Sequence, residues 1–394
     1  MSGDRNGSMD KIRIVYVLCA DERGGVEEHV LSLVKHIDRK RFLPFVVAPP
    51  KLIELFGKDL SDTETTVIPL KLNGLSDITG RLDFISFLRK NRIHIVNTHM
   101  FIASIHFSPL ARLAGVPILI ETSHGVEKWR LEKGFIKRNS FVIDRLVSML
   151  QTKILAVSNA CCKDLINIKK IPLEKITVIQ NGRDLSTFVP LPADRRSILR
   201  TQYGLALDEF VFGVMARLDF QKGHTYLFEA VGLLLRERSD FKVLVIGDGL
   251  LREALARQVR ELGIETNIIF TGFQHDIPGH HAIIDVNVLP SLFEGLPLGL
   301  IEASAMERPI IATKVDGTPE VVIHGETGVL VAPRNPSELA AAMLYALEHK
   351  DEMQAMGKRG RQLALRQFTL ERQVRETEAL YEDLIRNPSQ GRRL

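Results

Sequence analysis

Cysteine is scarce in this chain: Cys19, Cys161 and Cys162 are all there is, with no CxxC pair and no Cys/His spacing of the kind that holds zinc. That excludes a disulfide-stapled secreted fold and fits a reducing cytosol. The adjacent Cys161 and Cys162 read as small apolar fillers at the start of a helix rather than as a redox pair. No run of about 18 apolar residues occurs, and the polar stretch Met1 to Asp10 lacks the apolar core of a secretion signal. The expectation is a chain that neither spans a membrane nor is exported by a signal peptide. One-sided charge is also missing, the net value being only +4, and a composition 45% hydrophobic and 25% charged excludes a disordered or collagen-like chain.

What is present is enough chain for two cores, since 394 residues exceed what a single core usually supports. Short apolar runs fall at Lys11 to Cys19, Phe45 to Ala48, Ile93 to Val96, Ile118 to Ile120 and Ile154 to Val157, with helix-length segments between them. The pattern restarts at Phe210 to Val214, Lys242 to Gly247, Ile268 to Phe270, Val286 to Leu289 and Ile310 to Ala312. Such alternation predicts two mostly parallel sheets, each wrapped by helices on both faces. Pro190 and Pro192 mark a linker, which places the boundary near residue 187. Beyond Pro336 the spacing of Leu339, Met343, Leu344 and Leu347 predicts helix, followed by a charged helix around Glu371 to Arg386.

In open parallel sheets ligands collect at the carboxyl ends of strands, and two facing sheets can grip one from both sides, so the cleft between the domains is the expected site. Glu294 and Glu302 flank a turn containing Gly295, Pro297 and Gly299 that opens a helix. The helix start offers unpaired N–H groups to phosphate, and a carboxylate before it can accept hydrogen bonds from sugar hydroxyls. A helix cap and an ordinary exposed acid explain the same residues equally well. Arg217 and Lys222 follow another strand and could hold a diphosphate. Gly24-Gly25 and Gly247-Asp248-Gly249 also sit at strand ends, where either a ligand or the fold itself can require glycine. His124, after the run ending at Glu121, could donate a hydrogen bond or handle a proton, or be structural. His280-His281 reads as a solvated helix face rather than a metal pair, and no metal site is expected anywhere.

Residues 1–190 hold 28 Lys and Arg against 20 Asp and Glu, and residues 191–394 hold 24 against 28. Between Lys128 and Lys153 the basic residues Lys128, Arg130, Lys133, Lys137, Arg138 and Arg145 interleave with Trp129, Phe135, Ile136, Phe141 and Leu146. This suits either an amphipathic helix on anionic lipid or a helix packed on its sheet. Nucleic acid is not an expected partner, because no recognised motif accompanies the charge.

The combination of Gly24-Gly25-Val26-Glu27, Ser123-His124-Gly125, Asn181-Gly182-Arg183-Asp184, Arg217 with Lys222-Gly223, Gly247-Asp248-Gly249, Thr271-Gly272-Phe273 and Pro290 to Pro297 resembles glycosyltransferase family 4. The likeness runs from about residue 12 to 385, and the Glu294 to Glu302 segment is its most specific part. It implies the GT-B fold, an α/β architecture of two Rossmann-like doubly wound domains facing across a cleft. By the same resemblance Arg217 and Lys222 contact a donor diphosphate with the backbone at Leu298 and Gly299, Glu294 contacts sugar hydroxyls, and Glu302 the ribose. Gly24 and Gly25 would lie beside the phosphates, Gly247 and Phe273 near the nucleotide, and His124 beside the donor sugar. Arg183 stands where the related segment often has an apolar residue, a departure that on sequence grounds disturbs no assigned role.

The expected organisation is a disordered extension over 1–10, an acceptor-side domain over 11–186, a donor domain over 187–370, a helix over 371–386 crossing back to the first domain, and a flexible tail over 387–394. The expected activity is retaining transfer from a nucleoside diphosphate sugar to a saccharide or lipid-linked hydroxyl, in cell-surface polysaccharide or glycolipid synthesis. No cofactor is expected. A sugar-nucleotide epimerase, a phosphorylase or a silent nucleotide-sugar-binding protein would use the same architecture. The expected location is the cytoplasm, peripheral to the inner face of the membrane.

Overall fold

The computed structural model describes residues 11–61, 63–72, 77–125 and 135–387. The extension expected over 1–10 lies outside them, as does the tail beyond residue 387. The chain forms two compact units, one of residues up to Gln180 together with Glu371 onward, the other Asn181–Leu370.

In the first unit β1 (Ile12–Val17), β2 (Phe42–Ala48), β3 (Thr66–Pro69), β4 (Ile95–His99), β5 (Ile118–Ser123), β6 (Lys153–Ala156) and β7 (Ile176–Val178) form one sheet in the order β3-β2-β1-β4-β5-β6-β7. In the second, β8 (Phe210–Met215), β9 (Phe241–Ile246), β10 (Ile268–Gly272), β11 (Val286–Leu289), β12 (Ile310–Thr313) and β13 (Gly328–Val331) are ordered β10-β9-β8-β11-β12-β13. All pairings between these strands are parallel. Central strands are buried on both faces, which is why they read as continuous apolar runs. β3, β7 and β13 are not among those runs; all three are sheet edges, β3 and β7 short and mixed, whereas β13 is apolar and was passed over.

Each sheet reverses its winding once, between β1 and β4 and between β8 and β11, so the carboxyl ends of those strands frame a crevice in each unit. Strands β4 and β5 also change character along their length. Apolar at Ile95, Val96 and Ile118 to Ile120, they end in Asn97-Thr98-His99 and Glu121-Thr122-Ser123, polar yet buried.

The unit boundary falls at Gln180/Asn181 rather than near 187. Segment 181–183 is tied to residues 368–370, with Arg183 N donating to Phe368 O at 2.9 Å and Leu370 N to Arg183 O at 3.1 Å. Pro192 caps the helix Ala193–Gln202 of the second unit instead of marking a break. The helix Leu370–Arg386 belongs with the first unit, where Tyr381 is fully buried, accepts from Asn97 Nδ2 at 3.0 Å and meets Phe42 edge-on.

His280 and His281 depart from the sequence reading, since both are buried. They lie on the short helix Ile277–Ile283, packed against Ala193–Gln202, with His280 Nε2 2.7 Å from the Tyr203 hydroxyl. Cys161 and Cys162 are buried near the start of helix Asn159–Asn167, and burial pushes the Cys161 thiol up to about 11, as an inert filler requires.

Candidate functional site

In the second unit the loops leaving β8 and β11 are stitched together. Leu292 N donates to Gln221 O and Gln221 Nε2 to Phe293 O, both at 2.8 Å. Asp219 caps the turn Phe220–Lys222, and Gly223 follows with φ +66°. A Cβ there would lie 2.1 Å from Pro290 O, so the two loops approach closely only because residue 223 is glycine.

This contact carries Lys222 to Glu294. Lys222 Nζ lies 2.6 Å from Glu294 Oε1, and Ser291 Oγ donates to the same oxygen at 2.6 Å. The Glu294 backbone N–H is taken by Asp316 Oδ2 at 2.8 Å, and Thr313 Oγ1 donates to Ser291 O at 2.5 Å. The carboxylate is buried, both of its bonds fall on Oε1, and among the described residues Oε2 accepts none. The pair is therefore anchored on one side and available on the other.

Leu298 and Gly299 open the helix Leu298–Ala305, and as its first two residues their N–H groups lack intrahelical partners. The helix starts beside the end of β8, a Cβ on Gly299 lying 3.7 Å from Met215 O. Glu302, one turn on, is buried, with Oε1 2.7 Å from Arg183 Nε. Arg183 thus bears directly on Glu302, a contact that the sequence does not disclose. A cation at that distance fixes the rotamer of the carboxylate.

The remaining residues named from sequence are placed less tightly. Arg217 is exposed in the β8 loop, its Nη2 3.4 Å from Asp219 Oδ2. Gly247 follows β9 at φ +136°, and a Cβ there would lie 2.1 Å from Ala216 O, so the fold alone accounts for this glycine. Phe273, past β10, is 67% exposed with its ring edge-on to His275. No hydrogen bond or ring contact among the described residues joins Phe273 to Glu294 or Glu302.

In the first unit Gly24 precedes the helix Gly25–His36, its N–H donating to Glu27 Oε2 at 2.9 Å, and the space beside Gly25 is open for 4 Å. His124 is joined by two histidines that sequence reasoning passed over. His99 ends β4 and His29 lies on the helix after β1, with His99 Nδ1 3.1 Å from His124 Nε2 and ring centroids 4.8 to 5.4 Å apart. Burial first, then the neighbouring rings, pushes His99 and His124 well below the usual imidazole range. The signal was available, since His29 follows the glycine turn by four residues and His99 closes a strand.

On the helix Phe135–Leu150, Phe141, Asp144, Val147 and Ser148 face inward, and Asp144 pairs with the equally buried Lys169 at 2.6 Å. Val142, Ile143, Leu146 and Met149 are exposed beside Arg145. Phe141 therefore belongs to the core and Leu146 to the surface. Lys128, Trp129, Arg130 and Lys133 lie outside the described residues.

A family model described as Glycosyltransferase Family 4 matches residues 23–187, and one described as Glycosyl transferases group 1 matches residues 195–363. The Escherichia coli UDP-Gal:alpha-D-GlcNAc-diphosphoundecaprenol alpha-1,3-galactosyltransferase is 27% identical over 320 residues, covering 79% of this chain and 81% of that protein. The Mycolicibacterium smegmatis GDP-mannose-dependent alpha-(1-6)-phosphatidylinositol monomannoside mannosyltransferase is 34% identical over 193 residues, 47% of this chain and 50% of that one. Among solved structures, Anabaena Alr3699/HepE in complex with UDP and glucose matches with a TM-score of 0.83 at 21% identity, over 95% of this chain and 100% of that chain. WaaG, a glycosyltransferase involved in lipopolysaccharide biosynthesis, matches with a TM-score of 0.72 at 16% identity, over 93% and 99% of the two chains. At such identities the likeness speaks to the fold alone. With family models matched along both units and two doubly wound sheets beneath them, the chain belongs to glycosyltransferase family 4 and is a glycosyltransferase of the GT-B fold.

Proposed function

We propose that this enzyme transfers a sugar from a nucleoside diphosphate sugar to a hydroxyl acceptor with retention of anomeric configuration, in polysaccharide or glycolipid biosynthesis. The observation that carries the reading is the Lys222–Glu294 pair at the β8/β11 reversal, beside the start of helix Leu298–Ala305. Lys222, Arg217 and the N–H groups of Leu298 and Gly299 take the diphosphate. Glu294 offers its open oxygen to sugar hydroxyls. Glu302, held by Arg183, accepts from the ribose, and the exposed Phe273 offers a face to the base. Gly24 and Gly25 leave room for phosphate, and His124 serves the sugar as a neutral imidazole.

In the proposed reaction the bond from the anomeric carbon to the β-phosphate oxygen breaks first, and its electron pair leaves with the nucleoside diphosphate. The acceptor oxygen then bonds to the anomeric carbon on the face just vacated, and its proton passes to the departing phosphate. Lys222 and the helix start stabilise the charge that develops on that phosphate. No cofactor beyond the donor takes part. Relatives named for UDP-galactose and GDP-mannose donors, with a diphosphoundecaprenol and a phosphatidylinositol mannoside as acceptors, support a lipid-linked or saccharide acceptor here.

The exposed apolar face of helix Phe135–Leu150, bordered by Arg145, supports peripheral contact with an anionic membrane on its cytoplasmic side. Among the described residues no helix is long and apolar enough to cross one. The activity test is a screen of nucleoside diphosphate sugars by nucleotide release, followed by proton NMR of the first product formed. The expected anomeric coupling matches that of the donor. Inversion would overturn the mechanism, and epimerisation or phosphate-dependent cleavage without transfer would overturn the function.

A further inference from the structure

We propose that Asp316 is a positioning residue for the donor sugar, holding the backbone of Glu294 so that the open carboxylate oxygen keeps its place. The role rests on the reading of Glu294 as the group that meets sugar hydroxyls. Asp316 lies in the loop between β12 and the short helix Thr318–Val321, and that loop is pressed against the turn that carries Glu294.

Three contacts join the two loops. Thr313, the last residue of β12, donates from Oγ1 to Ser291 O at 2.5 Å. Asp316 Oδ2 accepts the Glu294 N–H at 2.8 Å. Gly317 completes the seam, since a Cβ there would lie 2.0 Å from Gly295 O, nearer than any side chain could come. Ser291 in turn donates to Glu294 Oε1, the oxygen that Lys222 also holds. The side chain of Glu294 is thus fixed from the loops after β8 and β11, and its main chain from the loop after β12.

Asp316 has φ +40°, in the left-handed region that residues other than glycine rarely adopt. Thr318 N donates to Val315 O at 2.9 Å, so Val315 to Thr318 form a tight turn, with φ −76° at Gly317. A positive φ at the first central residue followed by a negative one at the second is the pattern of a type II′ turn, in which glycine fills the first place without strain. What aspartate adds over glycine is a carboxylate, and that carboxylate takes the N–H of a buried residue whose open oxygen is the one offered to the sugar. Backbone strain of this kind collects where a site needs a residue held in place. Without the acceptor the Glu294 N–H loses its bond, the turn at Glu294 and Gly295 relaxes, and the offered oxygen shifts. A misplacement of about 1 Å at such a group costs up to about 10²-fold in rate.

The test compares Asp316→Gly with Asp316→Asn in the full chain, using the nucleoside diphosphate sugar that releases most nucleotide in the donor screen. Glycine and asparagine both suit a positive φ, so neither variant adds strain, and melting profiles check that each is folded. Asp316→Gly should lower kcat/KM for that donor about tenfold, while inhibition by the bare nucleoside diphosphate stays within about twofold of wild type. Asp316→Asn, whose amide oxygen can accept the same N–H, should recover most of the loss. Added to Glu294→Gln, Asp316→Gly should have no further effect, because it acts only through Glu294. Wild-type kcat/KM in a folded Asp316→Gly, an equal loss of affinity for the bare nucleotide, or additive losses in the double variant would overturn the role. Transfer unimpaired in Glu294→Gln alone would instead overturn the donor reading on which the role rests.

Discussion

The Glu302–Arg183 pair shows how one residue changes the meaning of another. Glu302 stands out in the sequence as a candidate donor-binding carboxylate, but its partner lies 119 positions away in a turn whose local pattern says nothing about Glu302. Arg183 holds the carboxylate proposed to meet the ribose, so its loss should act on donor affinity. Arg183→Leu should raise the KM for the donor roughly 3- to 10-fold with little change in kcat, an effect of about 1 kcal/mol. Arg183→Lys should recover part of it. Steady-state kinetics against donor concentration separate this from a fall in kcat alone, which would mean that Arg183 acts on the bond-breaking step.

His224 and His281 make a second test at the same scale. Burial, helped by Lys222 for the first and by Arg308 and His280 for the second, pushes them down to about 4 and about 3. Unfolded, each would titrate near 6.5. Their contribution to stability is therefore complete above that value and drains as pH falls toward the folded values, at up to about 1.4 kcal/mol per pH unit for each. Denaturant midpoints measured at pH 7, 6 and 5 should decline, and His281→Gln should make the decline shallower. An equally steep decline in the variant would contradict the assignment.

Among the elements, the β8 loop does the most to assemble the site. Gly223 permits the contact with Pro290 and so carries Lys222 to Glu294. Gly223→Ala adds both a clash and left-handed strain, and should cost about 1–3 kcal/mol in stability together with most of the activity. Chemical denaturation and a transfer assay on the same preparation check this, and wild-type values in both would contradict it. The helix Phe135–Leu150 was legible as amphipathic, but sequence alone left its orientation open. Burial of Asp144 and Ser148 while Val142 and Leu146 remain 58% exposed is the feature periodicity cannot disclose, because the buried acid is compensated by Lys169, in the bend after helix Asn159–Asn167. Val142→Glu with Leu146→Glu should leave stability nearly unchanged and abolish sedimentation with anionic vesicles. Undiminished sedimentation would remove this face from the membrane reading.

For the whole molecule, the two sheets were legible because central parallel strands must be apolar along their length, and the runs of all nine central strands stood out together with that of the edge strand β10. The edge strands β3 and β7 were not, since a strand with one neighbour can be short and mixed. The candidate site was legible at the strand ends, where Lys222, Glu294 and Glu302 sit, because chain reversal makes those ends the expected binding place. Ser291, Asp316, His29 and His99 were missed because what they touch is set by contacts between distant segments. The terminal helix Leu370–Arg386 likewise looks merely charged in sequence, yet it buries Val374, Tyr381 and Leu384 and places Glu378 beside Arg41.

The central claim is that Lys222, anchored on Glu294 at the β8/β11 reversal, stabilises the departing diphosphate. It is tested most directly by the transfer rate of Lys222→Ala at saturating donor, with folding of the variant verified by its melting profile. The account predicts a fall in kcat of about 10²- to 10³-fold. A folded variant that transfers sugar at the wild-type rate would contradict it.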